Sequence, residues 1–426
     1  MMSNHKFKET EIGLIPEDWE VKELSSLGQI ITGKTPSTKE KENFGTDYPF
    51  ITPRDMKGQK FISKTERYLS EKGKTILKNC LLPNKTVCVS CIGSNMGKVV
   101  LNEKPSITNQ QLNSIVTEEI NPEFVYYALL NITKRLKDLA FHSTAVPILN
   151  KKHFSMTKIA LPCNQTEINN ITKILTSLDE KIEVNNEMNR TLEAMGQAIF
   201  LQWFVHFEFP DSSGRPYKFN CGEMVDSELG KIPVGWEVGT LADICELNIN
   251  SLTPKTMPEK IHYVDLANTK NGIISDVQIF DANEAPSRAK RILSPGDTIF
   301  GTVRPGNRSF TLIGNQKYLT GSTGFAVLTP NDPKLREIVY LITTSEENIN
   351  RLTHLADGAA YPAVLPNVVT DEICLLPTED VIKSFHNVVG PLFDLIISNR
   401  DENVNLSKIR DSLLPKLMTG KIRVVR

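Results

Sequence analysis

The segment ETEIGLIPEDWEV, residues 9–21, recurs 217 positions later as DSELGKIPVGWEV, residues 226–238. Seven positions are identical in the two copies: Glu11, Gly13, Ile15, Pro16, Trp19, Glu20 and Val21 correspond to Glu228, Gly230, Ile232, Pro233, Trp236, Glu237 and Val238. A match of this density does not arise by chance. The chain is therefore expected to contain one structural unit twice, with a period of about half its length.

Further parallels follow these two copies in the same order. LLPNKTVCVSCIG, from Leu81, corresponds to LSPGDTIFGTVRPG, from Leu293, and both read as a proline turn that enters an apolar strand. HSTAVPIL, from His142, corresponds to DGAAYPAVL, from Asp357, and each leads to a further apolar stretch. The repeat is thus predicted to extend over both halves of the chain.

Each half ends in a long amphipathic stretch with apolar residues at alternating spacings of three and four, which is typical of coiled-coil helices. The two seams are Ile171, Leu175, Leu178, Ile182, Asn185, Asn189, Leu192, Ile199 and Trp203, and Phe385, Val389, Leu392, Ile396, Asn399, Asn403, Leu406, Leu413 and Leu417. Asparagine in such a seam lowers stability but fixes the register where it meets a partner. If the helices are antiparallel, Asn185 and Asn189 meet Asn399 and Asn403. Ordinary bundle helices with solvated asparagines are the alternative.

These patterns predict an α+β fold with two pseudo-repeated globular mixed α/β domains separated by two long antiparallel coiled-coil helices. The predicted boundaries, in chain order, are a globular domain over 1–165, a helix over 166–205, a linker over 206–225, a second globular domain over 226–380 and a second helix over 381–426. At 1.5 Å per residue the first helix would be on the order of 57 Å long, enough to hold two globular domains apart.

The composition predicts a soluble protein of two or three domains, since 426 residues with 40% hydrophobic side chains suffice for several cores. The absence of an eighteen-residue apolar run and of a signal-peptide pattern predicts a cytoplasmic protein without a membrane span. Cys88-x-x-Cys91 lacks the second pair that a zinc site would need. A net charge of −1 is unusual for a dedicated nucleic-acid binder, although residues 288–308 are locally basic.

LGQIITGKTPS, residues 27–37, matches the phosphate-loop pattern G-x-x-x-x-G-K-[ST] from Gly28 to Thr35. A phosphate loop needs a helix that begins at the lysine, whereas Pro36 favours an extended Thr35. The corresponding part of the second copy, LADICELNINSLTPK, has no glycine-lysine pair. We therefore expect a turn here, and an NTP-hydrolysing enzyme built on this loop is the alternative.

The chain resembles the specificity subunit of type I DNA restriction-modification enzymes. The resemblance rests on seven segments that together span nearly the whole chain: IGLIPEDWEV, GKTPS, YPFITPRDM, TNQQLNSIV, FLQWFVHFEFPDSSG, LGKIPVGWEV and LLPKLMTGKIRV. It implies that 1–165 and 226–380 are target recognition domains, each reading one half of a bipartite DNA sequence. The helices would set the spacing and dock two methyltransferase subunits that methylate adenine.

The resemblance also implies that this chain is not itself an enzyme and holds no cofactor. S-adenosylmethionine, ATP and Mg would be bound by partner subunits, and two restriction subunits can complete the assembly. A methyltransferase-only or related restriction system is an alternative context. A coiled-coil scaffold without DNA contact is a second alternative, which the near-neutral charge allows.

Major-groove reading requires Arg or Lys for guanine and Asn or Gln for adenine, presented on loops or helix ends. The candidates in the first domain are Lys34, Thr35, Arg54, Asp55, Asn95, Lys98, Asn109, Gln110, Gln111, Lys151 and Lys152. Those in the second are Arg288, Arg304, Asn307, Arg308, Ser322, Thr323 and Tyr361. Lys151 and Lys152 are more typical of phosphate clamps, and the amide cluster Asn109 to Gln111 is also typical of a turn.

Overall fold

The computed structural model describes residues 6–93, 96–133, 136, 148–316, 318–358 and 361–424. The chain forms two compact units. Unit 1 comprises Met1–Glu183 and Asn403–Arg426, and unit 2 comprises Val184–Glu402. Each unit is mixed α/β and rich in sheet, and each includes part of both long helices.

The repeated segment forms the same hairpin at both of its positions. Phe7–Thr10 pairs antiparallel with Gly13–Pro16, and Met224–Ser227 pairs with Gly230–Pro233 in the same register. Gly13 and Gly230 have φ values of +107° and +94°, which L side chains rarely adopt, so both turns need glycine. The two tryptophans of the segment, Trp19 and Trp236, are buried. The local pattern at each copy therefore determines the same local structure.

Unit 1 contains two five-stranded sheets and a two-stranded ribbon. The first sheet has the order Gly28–Thr32, Leu112–Thr117, Val87–Ser90, Val99–Asn102 and Phe61–Ile62; the second has Phe44–Gly45, Tyr68–Leu69, Tyr48–Ile51, Ser106–Thr108 and Leu81–Leu82; the ribbon pairs Trp19–Glu23 with Lys158–Pro162. Its shorter helices are Glu71–Ile76, Pro122–Asn131 and Lys151–Ser155. Pro122–Asn131 begins at Pro122 with Asn121 as its cap and buries Phe124 and Tyr127 in the core.

Unit 2 contains two four-stranded sheets. The first has the order Cys245–Leu247, Phe325–Pro330, Thr298–Gly301 and Phe310–Leu312; the second has Gln278–Asp281, Lys260–Val264, Leu319–Ser322 and Ala289–Leu293; two-stranded ribbons pair Glu237–Thr240 with Ile373–Leu376 and Thr269–Lys270 with Ile273–Ile274. Its shorter helices are Leu241–Ile244, Arg336–Thr343, Glu346–Leu355 and Pro366–Thr370.

The long helices are Gln165–Phe200, which continues as a π-helical turn over Leu201–Val205, and Glu379–Met418. In unit 1, Asp179 accepts a hydrogen bond from Arg410 at 2.8 Å. In unit 2, Asn399 donates to Asn189 at 2.8 Å, and Asn185 donates to Glu402 at 2.7 Å. The helices are therefore antiparallel within unit 2, where the contacts run in opposite order along them.

The fourth predicted register residue, Asn403, donates to the backbone oxygen of Ile182 at 3.5 Å in unit 1. Higher residue numbers on one helix again meet lower numbers on the other, since Asp179 pairs with Arg410 and Ile182 with Asn403. The helices are thus antiparallel in unit 1 as well. Asn189 and Asn399 meet directly as predicted, whereas Asn185 donates to a carboxylate and Asn403 to a backbone carbonyl.

The second long helix ends at Met418, so the prediction of helix as far as residue 426 is wrong. Gly420 has a φ of +67°, and its N–H donates to the carbonyl of Leu417. The N–H of Ile422 donates to the carbonyl of Lys416 at 3.1 Å. This left-handed glycine cap satisfies the last helical carbonyls and redirects the chain.

The segment predicted as a linker is packed against unit 2. Phe209 stacks on Trp236 with ring centroids 5.2 Å apart and on Tyr217 at 4.6 Å. Trp203 and Phe204, at the end of the first long helix, are also buried in this cluster. Aromatic burial therefore explains the run FLQWFVHFEF, because these rings form part of the core of unit 2.

Among the described residues, Glu379–Met418 is the one helix long and apolar enough to cross a membrane. Its apolar side chains Phe385, Val389, Phe393 and Ile396 are at most 2% exposed and belong to the core of unit 2. Core packing thus accounts for these four apolar side chains.

The segment after the glycine cap is held to the start of unit 1 by Arg423. Its guanidinium donates to Asp18 at 2.6 and 2.9 Å and to Glu167 at 2.6 and 2.8 Å. Glu167 is fully buried and also accepts a hydrogen bond from Trp19 Nε1 at 3.1 Å. The fork geometry of arginine suits two carboxylates at once.

We expect Arg423→Ala to destabilise unit 1 by about 3–5 kcal/mol, because it leaves the buried Glu167 carboxylate without its cation. Urea unfolding of the full chain would measure the loss. Lys231→Ala is the matched control, since Lys231 forms an exposed ion pair with Asp226 at 3.1 Å and should change stability little. Equal stability of the two variants would contradict the role of Arg423 as the cation that pairs with Glu167.

Candidate nucleic-acid interface

In unit 1 three polar loops meet at the residue after the central strand Val87–Ser90. The N–H of this residue, Cys91, donates to the carbonyl of Gln111 at 2.8 Å, and its carbonyl accepts from the N–H of Leu149 at 2.9 Å. An isolated bridge between Ile92 and Ile148 extends the contact. The loop after Cys91, the turn at 109–111 and the segment before helix Lys151–Ser155 are thereby brought together.

Unit 2 has the same arrangement of hydrogen bonds. The N–H of Thr302, which follows strand Thr298–Gly301, donates to the carbonyl of Gly324 at 2.9 Å. Its carbonyl accepts from the N–H of Val364 at 3.0 Å, and Val303 forms a bridge with Ala363. Residues 302–309, 322–324 and 361–364 therefore converge, although they lie far apart in the sequence.

A cleft of about 480 Å³ opens beside this junction in unit 1. It is lined by Thr52, Pro53, Arg54, Asp55, Glu66, Arg67, Ile92, Gly93, Asn109 and Gln111. Four of these residues, Arg54, Asp55, Asn109 and Gln111, are candidates from the sequence. The fold thus assembles two separate candidate segments into one concave surface.

The side chains of Asp55 and Lys98 support the loops around the cleft. The carboxylate of Asp55 is buried and accepts hydrogen bonds from Thr52 N, Thr52 Oγ1 and Glu66 N, all at 2.8 Å. Lys98 Nζ donates to the carbonyl of Met56 at 2.8 Å. Both residues hold the loop that carries Arg54, so any direct DNA contact by them stays a prediction.

The turn at 109–111 is internally bonded. Asn109 Nδ2 donates to Gln111 Oε1 at 2.8 Å, and Asn109 Oδ1 accepts from the Gln111 N–H at 3.1 Å. Thr35 Oγ1 donates to Gln110 Oε1 at 2.6 Å, which places Thr35 beside the turn, and Lys34 is exposed.

Lys151 and Lys152 are exposed at the start of their helix, where Asn150 is the cap. The remaining candidate of this domain, Asn95, lies outside the described residues.

In unit 2, Arg304 and Tyr361 lie together. The guanidinium of Arg304 lies 4.9 Å from the centroid of the Tyr361 ring, and Tyr361 is 72% exposed. Arg304 and Arg308 have φ values of +50° and +59° on either side of the turn Pro305–Asn307, in which Asn307 is exposed. Left-handed arginines are uncommon, and such conformations cluster where a loop presents functional side chains.

The other candidates of unit 2 differ in accessibility. Arg308 donates two hydrogen bonds to the Glu346 carboxylate, and this pairing raises the pKa of Arg308 and lowers the pKa of Glu346. Ser322 is buried and accepts from the N–H of Gly324 at 3.2 Å. Thr323 and Arg288 are exposed, and the Thr323 N–H donates to the Arg288 carbonyl. The exposed candidates of unit 2 are therefore Arg288, Arg304, Asn307, Thr323 and Tyr361, and their contact with DNA stays a prediction.

The phosphate-loop interpretation is wrong. Gly28–Thr32 is a strand that pairs antiparallel with Leu112–Thr117, and residues 33–37 contain no helix. A Cβ atom on Gly28 would lie 2.1 Å from the Val116 carbonyl oxygen, and one on Gly33 would lie 2.2 Å from the Asn109 carbonyl oxygen. These glycines are required for close backbone approach, which the pattern cannot distinguish from phosphate binding.

The two cysteines of the C-x-x-C pattern, Cys88 and Cys91, are buried. Burial raises the pKa of the Cys88 thiol to about 12 and that of Cys91 to about 11, so both stay protonated. Within the described residues no group of three His, Cys, Asp or Glu side chains could hold a metal ion.

Two residues of the cleft, Glu66 and Arg67, were missed by sequence reasoning. They belong to the segment KTERYL, which has no glycine, proline or amide cluster to mark it. Arg67 reaches the cleft because the adjoining strand Tyr68–Leu69 pairs with Tyr48–Ile51. A local pattern does not reveal that pairing.

Residues 16–194 match the family described as type I restriction modification DNA specificity domain. The chain is 30% identical over 434 aligned residues to the type I restriction enzyme MjaIX specificity subunit of Methanocaldococcus jannaschii, covering 98% of this chain and 97% of that protein. The chain therefore belongs to the family of type I restriction enzyme specificity subunits.

Two further relatives agree with this assignment. The HindI specificity subunit of Haemophilus influenzae is 44% identical over 181 residues, which cover 42% of this chain and 39% of that protein. The crystal structure of the type I restriction-modification S subunit from M. genitalium matches with a TM-score of 0.55 at 16% identity, covering 98% of this chain and 99% of the other. The latter similarity establishes the fold.

We expect Gly33→Ala to destabilise unit 1 by about 1–3 kcal/mol, because the added methyl group must displace the backbone of the 109–111 turn. Lys34→Ala should leave stability unchanged, since Lys34 is exposed. Thermal unfolding of the full chain measures both. Gly306→Ala is the control, because its Cβ would lie no closer than 3.4 Å to Thr353. A tolerated Gly33→Ala would contradict the packing role of this glycine.

Proposed function

We propose that this chain is the DNA-reading subunit of a type I restriction-modification complex, in which each unit reads one half of a bipartite target. The observation that carries the proposal is the shared junction at Cys91 and Thr302, which gathers three polar loops in both units. Loops held on a rigid sheet are the usual place for binding residues. The recognition domains would comprise 1–165 and 226–380.

The two half-sites should differ in sequence, because the same framework carries different side chains in the two units. The cleft of unit 1 presents Arg54 and the amide of Gln111, and the loops of unit 2 present Arg304, Asn307 and Tyr361. Arginine favours guanine and amides favour adenine in the major groove. The close similarity of the two hairpins supports an origin of the units by duplication, followed by divergence of the loops.

The two long helices, predicted over 166–205 and 381–426, are proposed to set the distance between the half-sites. The hydrogen bond between Asn189 and Asn399 supports this role. An amide pair inside an apolar seam is satisfied in one register, so a shift of one helix by a turn would leave buried amides unpaired. A coiled coil with this property would give a fixed spacer.

One flank of the helix pair in unit 2 is suited to dock a methyltransferase subunit. Met188, Met195, Val388 and Leu395 are between 39% and 48% exposed. Met188, Val388 and Leu395 immediately precede the seam residues Asn189, Val389 and Ile396, and Met195 precedes Gly196, which packs against Phe393 of the other helix. In an antiparallel pair the residues at this position of both helices lie along the same edge. An exposed apolar stripe of this kind favours a protein partner.

Catalysis in the proposed complex belongs to partners. Two methyltransferase subunits would bind S-adenosylmethionine and methylate adenine, and two restriction subunits would bring ATP and Mg; a methyltransferase-only system is the second candidate. Partners would also supply much of the phosphate contact, which makes a net charge of −1 on this chain compatible with DNA binding. Such an assembly acts on double-stranded DNA in the cytoplasm.

We expect Gln111→Ala and Arg304→Ala to relax opposite halves of the target. Each removes a side chain from one junction and should reduce discrimination at its own half-site by about 1–3 kcal/mol per base pair. The measurement is to map methylated adenines in DNA from cells that express the complex with each variant. Relaxation of the same half by both variants, or a continuous target, would count against separate reading.

We expect Met195→Glu combined with Leu395→Glu to weaken assembly with the methyltransferase subunit, because charge would be placed in an apolar contact. Size-exclusion chromatography of the co-expressed subunits reports the loss. Glu187→Lys, at an exposed helix position away from the seam, is the control. An intact assembly with normal unfolding of the double variant would rule out this flank as the docking site.

A further inference from the structure

Arg67 is held by aromatic stacking in the cleft of unit 1. Its guanidinium carbon lies 4.2 Å from the centroid of the Phe44 ring and 5.8 Å from that of the buried Phe50 ring. Its carbonyl accepts hydrogen bonds from Phe50 N at 3.0 Å and Thr65 Oγ1 at 2.6 Å, which fixes the backbone. Stacking occupies the face of the guanidinium plane and leaves the N–H groups at its edge to bind a ligand.

Arg67 and Arg54 share the cleft with the carboxylates of Asp55 and Glu66 but are not ion-paired with them. Among the described residues no carboxylate forms an ion pair with either guanidinium. The nearby Asp55 carboxylate already accepts hydrogen bonds from Thr52 and Glu66 and stabilises the loop. Two arginines that line one cleft without a partner indicate a ligand rich in acceptors.

The remaining lining groups favour a base edge over a phosphate. Glu66, which is exposed, brings a negative charge to the cleft that would repel a phosphate but can accept from a cytosine amino group. The Gln111 Nε2 group donates to no described acceptor, and its Oε1 accepts from Asn109. A mixture of donors and acceptors matches the major-groove edge of a base pair, whereas phosphate clamps present donors.

We propose that this cleft takes the major-groove edge of a G·C pair and that the edge of the stacked Arg67 guanidinium donates to guanine O6 and N7. Arg67 is then a specificity-determining residue of the half-site read by unit 1. The inference rests on the proposed function and adds to it the identity of one base pair. Phe44 is the positioning residue that fixes the plane of the guanidinium.

The test uses the assembled complex with its methyltransferase subunit, after the target has been mapped by DNA methylation. Dissociation constants are measured for duplexes in which each base pair of the target is replaced in turn. Arg67→Ala should reduce discrimination at one G·C pair by about 5- to 150-fold, in the half that Gln111→Ala also relaxes. Base-pair preferences in the half-site read by unit 2 should be unchanged.

Two further measurements distinguish base reading from phosphate contact. Replacing that guanine by 7-deazaguanine, which lacks the N7 acceptor, should weaken binding by the wild-type complex and have little effect on Arg67→Ala. Arg67→Lys keeps the charge but loses the fork, so it should retain the salt dependence of binding and lose most of the discrimination.

Three results would overturn the inference while leaving bipartite reading intact. The first is a mapped half-site of unit 1 that contains no G·C pair. The second is wild-type binding that does not change when guanine is replaced by 7-deazaguanine. The third is an Arg67→Ala variant whose affinity falls by the same factor for every DNA sequence and whose binding depends less steeply on salt. The 7-deazaguanine measurement on the wild-type complex decides the matter even if a variant fails to fold. A complex without any split-site preference would instead reject the proposed function.

Discussion

The loops of each unit depend on the backbone N–H and C=O of one buried residue beside the central strand. Cys91 and Thr302 are 2% and 5% exposed, and each donates its N–H to one loop and accepts from another. A buried peptide group that loses its partners costs about 1–3 kcal/mol, so these connections cannot open cheaply. The backbone paths of the polar loops are therefore fixed by groups that every residue except proline possesses.

Because of this constraint, backbone hydrogen bonds hold the loops in place, and the loop side chains are free to determine specificity. The junction in unit 1 is a cysteine and that in unit 2 a threonine, yet their backbone hydrogen bonds are the same. Side chains on the loops can change without altering the backbone that presents them. In both units an aromatic ring orients an exposed arginine. The pair is Arg67 on Phe44 in unit 1 and Arg304 on Tyr361 in unit 2.

The sequence predicts those features that depend on neighbouring residues. The recurrence of one local structure at both copies of the repeat, the helical seam and the meeting of Asn189 with Asn399 follow from self-similarity and periodicity. The contact between Asp18 and Arg423 joins positions 405 residues apart and leaves no local pattern. The packing role of Gly33 leaves no local pattern either, since it depends on the Asn109 carbonyl that packs against it. The cleft likewise depends on strand order, which brings Arg67 beside Arg54.

DNA recognition also requires that the polar loops of each unit keep a fixed orientation relative to the long helices. In unit 1, Tyr127 donates its hydroxyl to Asp179 of the first long helix at 2.5 Å, and Arg410 of the second long helix pairs with the same carboxylate. In unit 2, Tyr340 donates to Glu193 at 2.6 Å. Burial raises the pKa of both tyrosines, so these hydroxyls remain protonated donors at physiological pH. Tyr127 lies on helix Pro122–Asn131 and Tyr340 on helix Arg336–Thr343, so a rotation of either short helix against the long helices would leave a buried hydroxyl unpaired. This cost couples the packing of each unit to the register of the long helices.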